Sequence, residues 1–303
     1  MFSKPQVILD GLRFPECPRW RDGQLWLSDM YGHRVLTVDD AGHSKTVAEF
    51  DDKPSGIGFL PDGSAVVVSM RKRLLVRLAN GKPETYCDLN QIPGDHLNDL
   101  VMDASGRAYV GNRFPFKGSF REAYSIDCVG PVETSSQENL VLVRPDGTIR
   151  IVADNLMAPN GVGITADGKT LIVAETRGKR LTQFTIDEDG GLSNRRLFAN
   201  LGQNPDGICL DEEGAVWASL PFIGEFVRVL EGGEVTHRVK LPQGKWAIAC
   251  VLGGRNRKTL YMLTSYASIE DIVACHDFEA DLHSVSKGFV EMMEVDVPGA
   301  GFP

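Results

Sequence analysis

Four oxygen-bearing side chains, Glu16, Asn98, Asn160 and Asp206, recur at one place in a repeated turn-then-strand pattern. Two carboxylates and two carboxamides, with no obligatory thiolate or imidazole, form a hard donor set. Such a set suits one divalent metal ion, Ca²⁺ first, with Mg²⁺, Mn²⁺, Zn²⁺ and Fe²⁺ open. Glu16, Asn160 and Asp206 are the expected ligands, and Asn98 can add a fourth. Two negative charges would neutralise a 2+ ion, leaving a bound oxygen strongly polarised. The expected chemistry is Lewis-acid activation of a carbonyl or phosphoryl group.

No single position decides this. Asn160-Gly161 and Asp206-Gly207 also suit turns that tolerate a left-handed backbone. Glu16 is harder to place without a partner, because a carboxylate at the start of a buried strand is costly unless paired or metal-bound. Around these four stand further candidates for substrate contact. His96 is either a base, a substrate hydrogen-bond donor or a structural histidine. Arg113 either binds a carboxylate or stays solvated. Phe114 and Trp246, with Phe116, Phe120, Phe222 and Tyr266, offer an apolar channel mouth. Asp99 is expected to point away from the axis, because strand side chains alternate. No G-x-S-x-G elbow, Walker A loop or dinucleotide fingerprint stands at a strand-to-helix junction, so those chemistries lose support.

The elements that must position these residues show in the repeat. Its copies begin Phe14-Pro15-Glu16-Cys17-Pro18, Pro54-Ser55-Gly56-Ile57, His96-Leu97-Asn98-Asp99, Pro159-Asn160-Gly161-Val162, Pro205-Asp206-Gly207-Ile208 and Lys245-Trp246-Ala247-Ile248. The marked residues Glu16, Ser55, Asn98, Asn160, Asp206 and Trp246 stand 39, 43, 62, 46 and 40 positions apart. Repeats of roughly 40 to 50 residues holding about four short strands are the signature of propeller blades. The expected fold is all-β: one six-bladed β-propeller domain over residues 1–303, with a metal site on its central axis. Gln6-Val7-Ile8-Leu9 is expected to pair with the last strand near Phe289–Val295 and close the ring. The long third interval holds an insertion from Arg113 to Glu138, whose aromatics suggest a flap over the channel. A second excursion, Tyr266 to His283, is too mixed to assign.

Composition narrows the partners. A net charge of −9 and an isoelectric point near 5.2 argue against nucleic acid or an anionic membrane. No segment approaches the roughly 20 apolar residues of a membrane helix. Met1-Phe2-Ser3-Lys4-Pro5 shows no charged and apolar leader, so a cytoplasmic location is expected. Cys17, Cys87, Cys128, Cys209, Cys250 and Cys275 form no C-x-x-C pair and read as reduced thiols. Oligomeric state is not legible.

Glu16-Cys17-Pro18-Arg19-Trp20, Leu97-Asn98-Asp99 with Asp103-Ala104-Ser105-Gly106, Pro159-Asn160-Gly161 and Pro205-Asp206-Gly207 resemble motifs of one family. It groups gluconolactonase, senescence marker protein (regucalcin) and luciferin-regenerating enzyme. The resemblance runs from about Leu12 to Pro298. It implies a six-bladed propeller, one divalent metal and often lactone hydrolysis, with Glu16, Asn160 and Asp206 as ligands. Asn98 would be a further ligand or a contact to substrate or water, and Asp206 a general base. Two departures stand out. His96 takes the place of an arginine found in sugar-lactonase relatives, and Cys17 replaces the usual glycine. The expected substrate is therefore a small lactone or aryl ester less polar than a sugar lactone. Alternatives are a phosphotriesterase-like hydrolase, a non-catalytic calcium-binding propeller, and a metal-free condensing enzyme resembling strictosidine synthase.

Overall fold

The computed structural model describes residues 4–79, 82–114, 138–267 and 287–301. Six four-stranded sheets account for its strands, each a meander of antiparallel neighbours. Blade one is representative, running through Pro15–Arg21, Gln24–Asp29, Arg34–Val38 and Ser44–Glu49. Its first hairpin turns on Asp22 and Gly23, both with positive φ, the backbone that a tight hairpin requires and that Asp-Gly readily adopts. The remaining inner strands are Pro54–Phe59, His96–Met102, Pro159–Ile164, Ile208–Leu210 and Lys245–Gly253.

Each inner strand packs against that of the next blade, and the sixth returns to the first. Closure is achieved as the sequence indicates. Gln6–Leu12 forms the outer strand of blade six, pairing antiparallel with Lys287–Glu294 through Gln6↔Met292. Joining the two ends of the chain in one sheet leaves no unpaired edge at the seam. Between blades the sheet faces pack largely apolar side chains. Leu27, Val66, Leu100, Val141 and Leu263, for example, are fully buried in one cluster that spans several blades.

The inner strands are irregular where they matter. Register shifts fall between Glu16 and Arg19, Pro54 and Ile57, Leu97 and Leu100, Pro159 and Val162, and Ala247 and Ala249. In blade five the ladder starts only at Ile208, just after Asp206. A bulge re-aims side chains and breaks simple alternation. The glycines that follow the marked residues serve close packing. A Cβ on Gly161 would lie 2.5 Å from Asp206 O, and one on Gly207 would lie 2.4 Å from Ala249 Cβ. Neither glycine has positive φ, so the left-handed-turn reading of Asn160-Gly161 and Asp206-Gly207 does not apply.

The far end of the channel is crossed by the C-terminal segment. Glu212 N donates to Pro298 O at 2.9 Å, Gly299 bridges Asp211, and Ala300 N donates to Leu210 O at 3.1 Å. Ala300 there shares a small cavity with Arg19, Val162, Ile208 and Val251, drawn from four blades. Of the insertion, only its ends lie among the described residues: Arg113 closes one strand and Asn139 opens the next. Phe116, Phe120 and most of the second excursion lie outside them.

Candidate functional site

Three carboxylates meet at one end of the axis. Glu16 is buried, and its acidity is pushed well below that of an ordinary glutamate by that burial, then by Asp206 and Asp99. Burial and the Asp99 charge raise Asp206 to about 8, partly opposed by Arg113 and a hydrogen bond from Asn160. Burial also raises Asp99, against the opposing pull of Cys17, Arg19, Arg113 and Ser55. Like charges held this close in a dry site favour protonation unless a cation joins them.

The two amides complete the group. Asn98 Nδ2 donates to Asn160 Oδ1 at 3.1 Å, linking blades three and four, and Asn160 Nδ2 lies 3.2 Å from Thr176 Oγ1. An amide oxygen carries two lone pairs, so one on Asn160 Oδ1 and both on Asn98 Oδ1 are left for another partner.

Asp99 is not where alternation put it. Its Oδ1 accepts a hydrogen bond from Cys17 Sγ at 2.6 Å, across from blade three to blade one. Asn98, the preceding residue, reaches blade four instead. The register shift between Leu97 and Leu100 lets consecutive side chains both face the channel, which a regular pleat forbids. A signal for this existed in the sequence. Where three copies have Gly56, Gly161 and Gly207, two others have Cys17 and Asp99, the pair that meets.

The remaining candidates are placed as follows. His96 is buried, with Nδ1 2.8 Å from Asp95 Oδ2, and burial holds it below the usual histidine range. Arg113 is buried rather than solvated: its Nε donates to Glu138 Oε1 at 3.1 Å, and Glu138 also pairs with Arg177. It nonetheless bears electrostatically on Asp206, Asp99 and His96. Phe114 is half-buried at the strand end beside it. Trp246 packs edge-to-face on Phe222, with centroids 5.3 Å apart, and lines a mixed cleft of ≈ 420 Å³ with Ile223, Leu241, Lys240, Gln243 and Lys245.

The SMP-30/gluconolactonase/LRE-like region model matches residues 14–266, most of the chain. The chain belongs to this family. Among its curated relatives is the 6-deoxy-6-sulfogluconolactonase of Pseudomonas putida, 23% identical over 82% of this chain and 82% of that one. Two solved structures share the fold. A luciferin-regenerating enzyme aligns with a TM-score of 0.78, at 19% identity, over 99% of this chain and 97% of its own. A calcium-binding protein, regucalcin from Agrobacterium tumefaciens, aligns with a TM-score of 0.75, also at 19% identity, over 100% and 97%.

The residues of this family member fit a divalent cation. Among the described residues, Glu16 Oε2 is buried without a hydrogen-bond partner. A buried acceptor left bare is costly, and three mutually repelling carboxylates with the amide oxygens of Asn98 and Asn160, the latter using one lone pair for Asn98, supply what a 2+ ion takes up.

Proposed function

We propose that this family member is a metal-dependent lactonase that opens a cyclic ester by water attack. The observation that carries the reading is the buried group of Glu16, Asp99 and Asp206 beside the Asn98–Asn160 amide pair. The family's lactonases, the Pseudomonas relative included, support the reaction class. Glu16, Asn160 and Asp206 would hold the ion, with Asn98 a further ligand or a holder of water. A bound divalent cation would supply Lewis-acid polarisation of the ring carbonyl; Ca²⁺ is the first choice for the oxygen donors.

The chain's own residues do the rest. Asp206 accepts the proton of the attacking water. The Asp99 charge strengthens it as a base, and Arg113 opposes that pull. Asn98 orients water or substrate through its free amide oxygen. The C-terminal segment crosses the end of the channel away from these residues.

For substrate, the site favours a lactone less polar than a simple sugar lactone. His96 stands where sugar-lactonase relatives have arginine, and its Nδ1 is held by Asp95. The cleft at Trp246 and Phe222 sets this aromatic pair among Pro221, Ile223 and Leu241, with Lys240, Gln243 and Lys245 also lining it. An aryl group gains an aromatic contact there that a polyol cannot make. Initial rates on lactones from gluconolactone to aryl-fused rings test this. Trp246→Ala should raise KM for the aryl lactones about tenfold, since an aromatic contact contributes roughly 1 kcal/mol or more, and leave gluconolactone unchanged. Gluconolactone turned over far faster than every apolar lactone would contradict the substrate assignment.

A further inference from the structure

We propose that Cys17 is a ligand of the axial site, so that Glu16, Cys17 and Asp99 present a mixed thiolate–carboxylate face selecting Zn²⁺ or Fe²⁺ over Ca²⁺. The inference rests on the axial metal reading above and concerns a residue that reading does not use.

The geometry is specific. Donor atoms of Glu16, Cys17 and Asp99 all lie within 4.8 Å of one another, and all three residues are buried. Ligands held at about 2.0–2.3 Å from one ion sit no more than about 4.6 Å apart, so small side-chain adjustments suffice. Cys17 Sγ is 2.6 Å from Asp99 Oδ1 and 3.7 Å from Ser55 Oγ. Independently, the bare Glu16 Oε2 marks an acceptor in this same group with nothing to receive.

The backbone supports the placement. Cys17 has φ of 49°, a left-handed conformation that costs a non-glycine residue about 1 kcal/mol or more. A glycine would be easier there, yet this chain spends that strain on a thiol which meets a carboxylate from blade three. Beneath them lies buried Arg19, whose Nη2 donates to Leu100 O at 2.7 Å. Burial, then Asp99 and Glu16, push the Cys17 thiol well up, and burial raises Asp99; the Arg19 charge opposes both shifts. Counting Asp206, four anionic donors on a 2+ ion leave two excess negative charges, of which Arg19 offsets one.

Binding would break the Cys17 S–H bond, form a sulfur–metal bond and release the proton to solvent. Thiolates select zinc and iron among the ions considered, whereas Ca²⁺ takes oxygen. The all-oxygen arc of Asn98, Asn160 and Asp206 would keep the rest of the coordination sphere.

Cobalt titration of the metal-stripped full-length protein tests this without any assay of activity. Wild type should develop the near-ultraviolet thiolate-to-Co²⁺ charge-transfer band, which Cys17→Gly and Cys17→Ser should lack. Calorimetry on the same proteins should show Zn²⁺ affinity lowered by at least the roughly 10–100-fold that outer-shell partners control, with Ca²⁺ affinity little changed. Glycine suits the left-handed backbone, so Cys17→Gly should keep the wild-type melting temperature; Cys17→Ser serves should it not. Co²⁺ bound by wild type without the band overturns the inference and leaves the axial metal reading standing. A wild-type protein that takes up no divalent ion overturns both.

Discussion

Asp206 carries the heaviest demand in the site, since it sits among like charges and must also accept a proton. Its pKa of about 8 against 3.8 when free has a consequence for stability without metal. Below about pH 4 both folded and unfolded chains hold the proton, and above about pH 8 neither does. Between these limits only the folded state holds it, so stability falls as pH rises. Glu16, also raised, adds to the same slope. The melting temperature of metal-free protein should therefore drop across this window, and Asp206→Asn should flatten the drop. Asp99→Asn should move its upper end to lower pH, because Asp99 is the main charge raising Asp206. An unchanged profile in Asp206→Asn would place the titration elsewhere. That Glu16, Asn98, Asn160 and Asp206 come together was legible because register in a repeat maps onto position around a ring. Asp99 and Cys17 were not, because alternation was assumed through a strand that bulges at that point.

At the scale of the strand, the Asn-Gly and Asp-Gly pairs are read differently in sequence and in space. The glycines let neighbouring inner strands approach, and the residue before each reaches the channel. Gly207→Ala would set a methyl against Ala249, at about 1–3 kcal/mol for overpacking between rigid backbones. Chemical denaturation should show that loss in the midpoint, together with weaker metal binding as Asp206 is displaced. Full stability in Gly207→Ala would mean the strands can part freely. The hairpins were readable from Asp22-Gly23 and its counterparts because the turn itself dictates residue type. The inner-strand bulges left no such mark, since no residue type is required there.

The ring as a whole depends on joining its two ends. Gln6–Leu12 covers the edge of Lys287–Glu294, and six inner strands must stay adjacent for four blades to place donors on one axis. Deleting residues 4–12 should expose that edge, lower the melting temperature and promote association, as seen by light scattering. A truncated chain that melts as the full one does would show closure to be dispensable. This architecture was the most legible feature, because a period repeated six times admits few other folds. Residues 115–137, which hold most of the expected flap, are outside the described residues.

The central claim is that the axial group performs metal-dependent lactone hydrolysis. The most direct measurement strips the protein with chelator and assays a lactone panel, restoring Ca²⁺, Mn²⁺, Zn²⁺ and Fe²⁺ singly. Turnover should vanish on stripping, return with at least one ion, and fall about 10²–10⁴-fold in Asp206→Ala, as loss of a general base does. Turnover that survives stripping, or that Asp206→Ala retains, would contradict it.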